Sequence, residues 1–266
     1  EEGDFIPLYL ENLDILKNIE GNNYTKLKSN DNFTDYVDQF DNQTIRTVVI
    51  RNWPNEKFLY TVFLRLNTGS LKLSSQELRQ ALHPGEFLTF VNKYTENPNP
   101  IRELLKLKKP DSRMRDVELI IRYFAFKNFL GLYKDSLKEF LDNACKNINN
   151  DWAQNMSKYE KQMEDLEKAI SFSKDIFSEE NAFNKFIGGK YSHIFNRTIF
   201  DIMVYYFSDE EIRKKNEDRK DKVKSMFEGL MTNNDSFIGS VSGSTKDGEK
   251  TSMRFKIFGE SLHELG

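Results

Sequence analysis

Val62-Phe63-Leu64-Arg65-Leu66-Asn67-Thr68-Gly69-Ser70, continued at Leu73-Ser74-Ser75-Gln76-Glu77-Leu78-Arg79-Gln80-Ala81-Leu82, carries two successive helix signals. Phe58, Leu59, Val62, Phe63 and Leu66 recur on one face of an α-helix, and Gly69 suits its C-terminal end because glycine enters the left-handed region without a Cβ penalty. Ser74 and Glu77 then have the spacing of a capping box, in which each side chain satisfies a free backbone N–H of the next helix. That helix is expected to stop at His83-Pro84-Gly85, with another over residues 86–94 whose apolar side is Phe87, Phe90, Val91 and Tyr94.

Upstream, residues 5–10 and 44–50 are rich in β-branched and aromatic side chains and short enough to be strands of one sheet. Between them Phe33, Tyr36, Val37 and Phe40 fall at helical spacing, with Asp31 as the expected cap. Downstream, residues 97–111 gather Pro98, Pro100, Pro110 and the patch Lys106, Lys108 and Lys109, which marks the best internal boundary. Beyond it, residues 112–130, 135–147, 156–177 and 194–207 each repeat apolar side chains at helical spacing, and residues 209–231 predict a fifth helix. Residues 253–258, Met-Arg-Phe-Lys-Ile-Phe, predict a strand or an extended docking segment. The expected fold class is α+β, with a mixed part over residues 1–110 and a mainly helical part over residues 111–266.

Composition narrows the function classes. Hydrophobic residues make up 38% and charged residues 30% of the chain, enough for both a core and a solvated surface. The balance of 39 Lys and Arg against 42 Asp and Glu gives a net charge of -3, so any nucleic-acid contact has to be a local patch. Cys145 is the only cysteine, which excludes an intramolecular disulfide and fits a reducing cytoplasm. No segment approaches the apolar length of a membrane helix, so no membrane partner is expected.

Catalytic motifs are sparse. Gly188-Gly189-Lys190 lacks the earlier glycine and the following Ser or Thr of a phosphate-binding loop and reads as a turn. His83, His193 and His263 are scattered, whereas metal sites need clustered ligands. The bases of residues 210–224 are interleaved with acids, which reads as a solvated helix face. Arg65, beside the apolar stripe at i+3 from Val62, is expected to be partly buried and to need a carboxylate, with Glu77 and Glu118 as candidates. Arg115, Glu118 and Arg122 share a helix face and suggest a buried ion network together with Glu77 and Arg79.

The segment over residues 62–82 closely resembles the signature F-x-R-L-N-T-G-G-x-x-L-S-x-Q-E-L-R-x-A-L of the GmrSD-type restriction family, with Ser70 in place of the second glycine. Arg113-Met114-Arg115-Asp116-Val117-Glu118-Leu119-Ile120-Ile121-Arg122-Tyr123-Phe124, Phe195-Asn196-Arg197-Thr198-Ile199-Phe200-Asp201 and Met253-Arg254-Phe255 are similar to later parts of the same family. The resemblance implies that residues 1–110 are the C-terminal part of a ParB/sulfiredoxin-like domain. It further implies antiphage defence by nucleotide-dependent recognition or cleavage of foreign or modified DNA, with a nucleoside triphosphate and Mg2+ as cofactors of the intact protein. The Asp-Gly-Gln-Gln-Arg run of that family does not occur in these residues, so its catalytic residues are not carried over. With no Met at the start, the sequence is read as a truncated or processed chain, inactive alone, whose expected partners are DNA and an upstream segment or partner subunit. Arg65, Asn67 and Thr68 are the nucleotide- or DNA-binding candidates, while Glu77, Arg79, Arg115, Glu118 and Arg122 are candidates for a structural clamp. The alternative is a non-catalytic helical scaffold that binds DNA or a partner.

Overall fold

The computed structural model describes residues 7–47, 49–52, 58, 61, 62, 65, 73–242 and 248–265. The chain divides into two compact units, Glu1–Trp53 and Pro54–Gly266. Residues 97–111, where composition set the boundary, therefore lie inside the second unit.

The first unit is small. Asn23 caps helix α1 (Tyr24–Lys28) by accepting from Lys26 N at 2.9 Å, and α2 (Thr34–Asp41) follows a short 3-10 turn. Asn30, rather than Asp31, caps that turn. Ile19, Leu27 and Val37 form the buried centre, flanked by Leu10, Leu13, Phe33 and Tyr36. The expected strand over residues 5–10 is reduced, among the described residues, to a single antiparallel bridge between Tyr9 and Asn23. Residues 44–47, 49 and 50 are not in a strand either. β-propensity expresses packing against neighbouring strands, and among the described residues neither segment lies beside one.

The second unit opens with Phe58, Thr61, Val62 and Arg65 in helical conformation, as the apolar stripe predicts. Gly69 lies outside the described residues. Helix α3 (Ser75–Leu82) begins with the expected capping box, Ser74 accepting from Glu77 N and Glu77 from Ser74 N. After His83 the chain turns into α4 (Glu86–Glu96), then α5 (Pro100–Leu104), capped by Asn99 with Ile101 and Arg102 buried. Helix α6 (Arg115–Phe129) is buried on nearly every side from Leu119 to Phe126, as suits a helix at the centre of a core.

Helix α7 (Leu137–Phe177) runs for 41 residues and unites two expected helices across one non-helical residue, Asn155. Asp151 bridges this kink by accepting from Asn155 Nδ2 at 3.2 Å and from the Tyr159 hydroxyl at 2.7 Å. Strands β1 (Asn184–Ile187) and β2 (Lys190–Phe195) form an antiparallel hairpin. Gly188 and Gly189, at φ of +59° and +79°, supply its two-residue turn. Helices α8 (Arg197–Phe207), α9 (Glu210–Asn216), α10 (Lys220–Asn233), α11 (Asp235–Ser242) and α12 (Gly248–Glu264) complete the unit.

The expected single helix over residues 209–231 is broken by a 3-10 turn at Glu217–Arg219. Residues 253–258 are helical, not extended, because Phe255, Phe258 and Leu262 present one buried stripe at helical spacing. The described fold is thus mainly helical with one two-stranded sheet, within a broad α+β class. No described helix is long and apolar enough to cross a membrane.

Gly85 shows how closely the α3–α4 turn meets α7. A Cβ there would lie 2.3 Å from Asn149 Cγ, and the Asn149 side chain accepts from Phe87 N at 3.0 Å and donates to the His83 carbonyl at 3.3 Å. Gly85→Ala should displace this amide and cost about 1–3 kcal/mol, since the released backbone groups are partly buried. Urea denaturation checks this, and a change below about 0.5 kcal/mol would contradict so tight an approach.

Candidate functional site

The polar residues picked out by the sequence separate into distinct pairs around the start of α6. Asp111 accepts from Arg115 through both its backbone N–H, at 3.0 Å, and its side-chain Nε, at 2.5 Å. Burial raises the Asp111 carboxyl's pKa, but these hydrogen bonds outweigh it and hold the group below its ordinary value. Arg113 reaches Glu77 at 3.3 Å, and the Ser74 hydroxyl donates to the Arg113 carbonyl at 3.1 Å. Arg79, buried on α3, pairs with Asp142 of α7 at 2.8 Å and donates to Gln76.

Arg122 is buried on α6 and forms a two-pronged pair with Asp201 of α8, its Nε donating to Oδ1 at 2.9 Å and its Nη2 to Oδ2. Burial works against the Arg122 charge, but the Asp201 carboxylate more than compensates and holds the guanidinium protonated. Burial also pushes the Asp201 carboxyl up, opposed by the charge and hydrogen bonds of Arg122 and by the charge of Arg254. Arg254 is itself buried, donating to the Lys250 carbonyl at 3.2 Å and to the Thr251 hydroxyl.

Glu118 stands 3.9 Å from both Arg122 and Arg197, too far for a hydrogen bond, and its side chain keeps 20% of its exposure. It is therefore a peripheral partner. Arg115 is half-exposed and bonded to Asp111, so it does not join Arg122 in one buried line. Arg65 is exposed rather than partly buried, and Val62, three residues before it, is half-buried. Asn67 and Thr68 lie outside the described residues.

These pairings fix the direction of two helices. Glu118 and Arg122 are one turn apart on α6, Arg197 and Asp201 one turn apart on α8, and each faces its counterpart in the same order. The two helices consequently run parallel and start at the same end. The Ser74–Arg113 bond brings the start of α3 to the start of α6. Helix N-termini carry partial positive charge, and the Arg113, Arg115 and Arg197 side chains are 44%, 50% and 51% exposed there. Such an end suits a phosphate or carboxylate, since guanidinium forks match both oxyanions. Glu77, Asp111 and Glu118 moderate its charge.

Sequence reading missed Asp201, Asp142 and Arg254. The signal for Asp201 was a carboxylate inside the apolar run Ile199-Phe200-Asp201-Ile202-Met203, which demands a buried cation. Elsewhere, burial pushes the Cys145 thiol up to about 12, which makes it inert as a nucleophile. A groove of about 630 Å³ in the first unit is mainly apolar, with Leu8, Leu16, Tyr24 and Phe40 in its walls. Among the described residues, no three His, Cys, Asp or Glu side chains are grouped to hold a metal ion. No protein-family model, curated protein or solved structure matches the chain.

The geometry separates two carboxylates that the sequence could not rank. Asp201→Ala leaves a buried, unpaired guanidinium and should cost about 3–5 kcal/mol. Glu118→Ala should cost under about 1 kcal/mol, since its 3.9 Å contacts are longer than hydrogen bonds and Arg197, one of its partners, is half-exposed. Equal losses of thermal stability in the two variants would contradict this ranking.

Proposed function

We propose that this chain is part of a GmrSD-type antiphage restriction protein that recognises or cleaves foreign or modified DNA in a nucleotide-dependent reaction. In this reading, the signature segment over residues 62–82 belongs to a ParB/sulfiredoxin-like part, and the later helices brace it. The observation that carries the reading is the Arg122–Asp201 pair. It joins the two downstream segments that resemble the family, and the Ser74–Arg113 bond ties the signature segment to the first of them. Arg65, with Asn67 and Thr68 of the same signature, would face a nucleotide or DNA phosphate, and the arginine-bearing helix ends lie where α3 begins. A nucleoside triphosphate and Mg2+ would be the cofactors, the rest of the catalytic apparatus would come from an upstream segment or partner subunit, and the setting would be cytoplasmic.

A second reading is a non-catalytic scaffold that binds DNA or a partner. It is favoured by the carboxylate already paired with each arginine at the shared helix end.

The complete product of the gene encoding this chain should hydrolyse a nucleoside triphosphate and cleave modified phage DNA in the presence of Mg2+. Arg65→Ala should reduce hydrolysis roughly a hundredfold, the loss typical of one charge-stabilising donor, with the melting temperature unchanged because Arg65 is exposed. DNA binding without hydrolysis or cleavage would select the scaffold. An active protein indifferent to Arg65→Ala would remove this arginine from the phosphate site.

A further inference from the structure

The β1–β2 hairpin is not used by the clasp between α6 and α8, yet it leads directly into α8 through Asn196. Its two faces differ sharply. Phe186 and Tyr191 pair across the strands with ring centroids 5.0 Å apart, and both pack on the main core. The Tyr191 hydroxyl donates to Glu228 of α10 at 2.8 Å, fastening that face down. Successive side chains of a strand alternate between faces, so the cross-strand pair Ile187 and Lys190, next to Phe186 and Tyr191, points the other way, while the register irregularity farther from the turn leaves His193 and Ile194 both exposed. Ile187 and Ile194 are 58% and 77% exposed, and Lys190 is exposed beside them.

Charge along the ribbon has one sign. From Asn181 to Phe200 the sequence contains Lys185, Lys190, His193 and Arg197 and no Asp or Glu, in a chain whose net charge is -3. The ribbon is held rigidly from below by aromatic packing and above it presents Lys190 opposite the exposed Ile187, with Ile194 exposed farther along. A two-stranded ribbon of this size, roughly 3.3 Å per residue along each strand, fits the major groove of double-stranded DNA, which is about 12 Å wide. Lysine can neutralise a backbone phosphate, and exposed aliphatic groups can pack on thymine methyls.

We infer that the outer face of the β1–β2 hairpin is a docking surface for double-stranded DNA, with Lys190 on a backbone phosphate and Ile187 and Ile194 in the groove. The inference deepens the proposed restriction function and rests on DNA being the partner. The ribbon continues into Arg197, so duplex bound there would extend toward the end of the second unit where α6 and α8 begin. An acidic protein segment is the competing occupant, but it makes less use of a lysine flanked by groove-sized aliphatic side chains.

The test is fluorescence anisotropy with a labelled 24-base-pair duplex and, separately, with labelled poly-glutamate, titrated over a range of salt. The proteins compared are the unaltered chain, Lys190→Gln, Lys185→Gln/Lys190→Gln and the distant control Lys256→Gln. Lys190→Gln should weaken duplex binding roughly five- to tenfold near 0.1 M salt and reduce the salt slope by about one, with a smaller further loss in the double variant because Ser242 holds the Lys185 ammonium. The Lys256 control should match the unaltered chain. Lys185 also donates to Ser242 at 3.0 Å, so the single Lys190→Gln variant keeps the test decisive if the double variant folds poorly. Duplex binding indifferent to Lys190→Gln overturns the hairpin assignment while leaving DNA as the partner. Hairpin-dependent capture of poly-glutamate without duplex binding overturns the inference in favour of a protein partner. Absence of duplex binding by the unaltered chain at low salt overturns both the hairpin assignment and DNA recognition by this part of the protein.

Discussion

The buried pair between Arg122 and Asp201 constrains the second unit more than any single apolar contact. Removing two ions from water costs several kcal/mol each, and the interior offsets this only when the charges meet in good geometry. The bidentate approach meets that demand at one relative height of α6 and α8. Sliding either helix by a turn would leave a guanidinium facing hydrocarbon. Dispersion forces tolerate such a slide far better than paired charges do, so the pair sets register where packing alone would leave alternatives. Arg254, whose charge also acts on Asp201, brings the C-terminal helix α12 under the same constraint.

Around that fixed pair, aromatic side chains fill the core. Phe87 of α4 meets Phe124 of α6 at 5.1 Å and Trp152 of α7 at 6.0 Å, while Trp152 stacks on Tyr159 at 5.6 Å. Farther along α7, Phe172 meets Phe207 of α8 at 5.2 Å, and Phe177 meets Phe227 of α10 at 5.3 Å. Large rings set at tilted or edge-on angles bury much area with few rotatable bonds, which makes a well-defined core from short helices. The long α7 is thereby a spine, meeting early helices along both halves, through Asp142 with Arg79 and through Glu167 with Tyr94, and later ones along its second. The Asp151 carboxylate spans its kink at Asn155.

Local signals in the sequence were legible where the determining residues lie within a turn or two of one another. The capping box at Ser74 and Glu77, the break at His83-Pro84-Gly85 and the Gly188-Gly189 turn all have this character. The apolar stripes of α4, α6 and α8 were equally plain. Two kinds of feature were not. The segments over residues 5–10 and 44–50 have the composition of strands, but composition cannot supply the neighbouring strand that makes one. Pairings across long separations were also hidden: Arg122 and Asp201 are 79 residues apart, and i+4 spacing pointed instead to Glu118. The compact units divide at Trp53 and Pro54, and the Pro- and Lys-rich stretch before Pro110 is tied down by the Asn99 cap and by buried residues such as Ile101.

The central claim is that α6 and α8 are one cooperative unit, locked by a buried ion pair, and that residues 113–124 and 195–201 are thereby parts of a single body. Native-state hydrogen exchange measures this directly, because amides in one cooperative unit open with a common free energy. Amides of residues 117–126 and 199–206 should share the highest opening free energy in the chain and the same denaturant dependence. If residues 199–206 instead open at much lower free energy while residues 117–126 stay protected, the two helices are not locked together and the account fails.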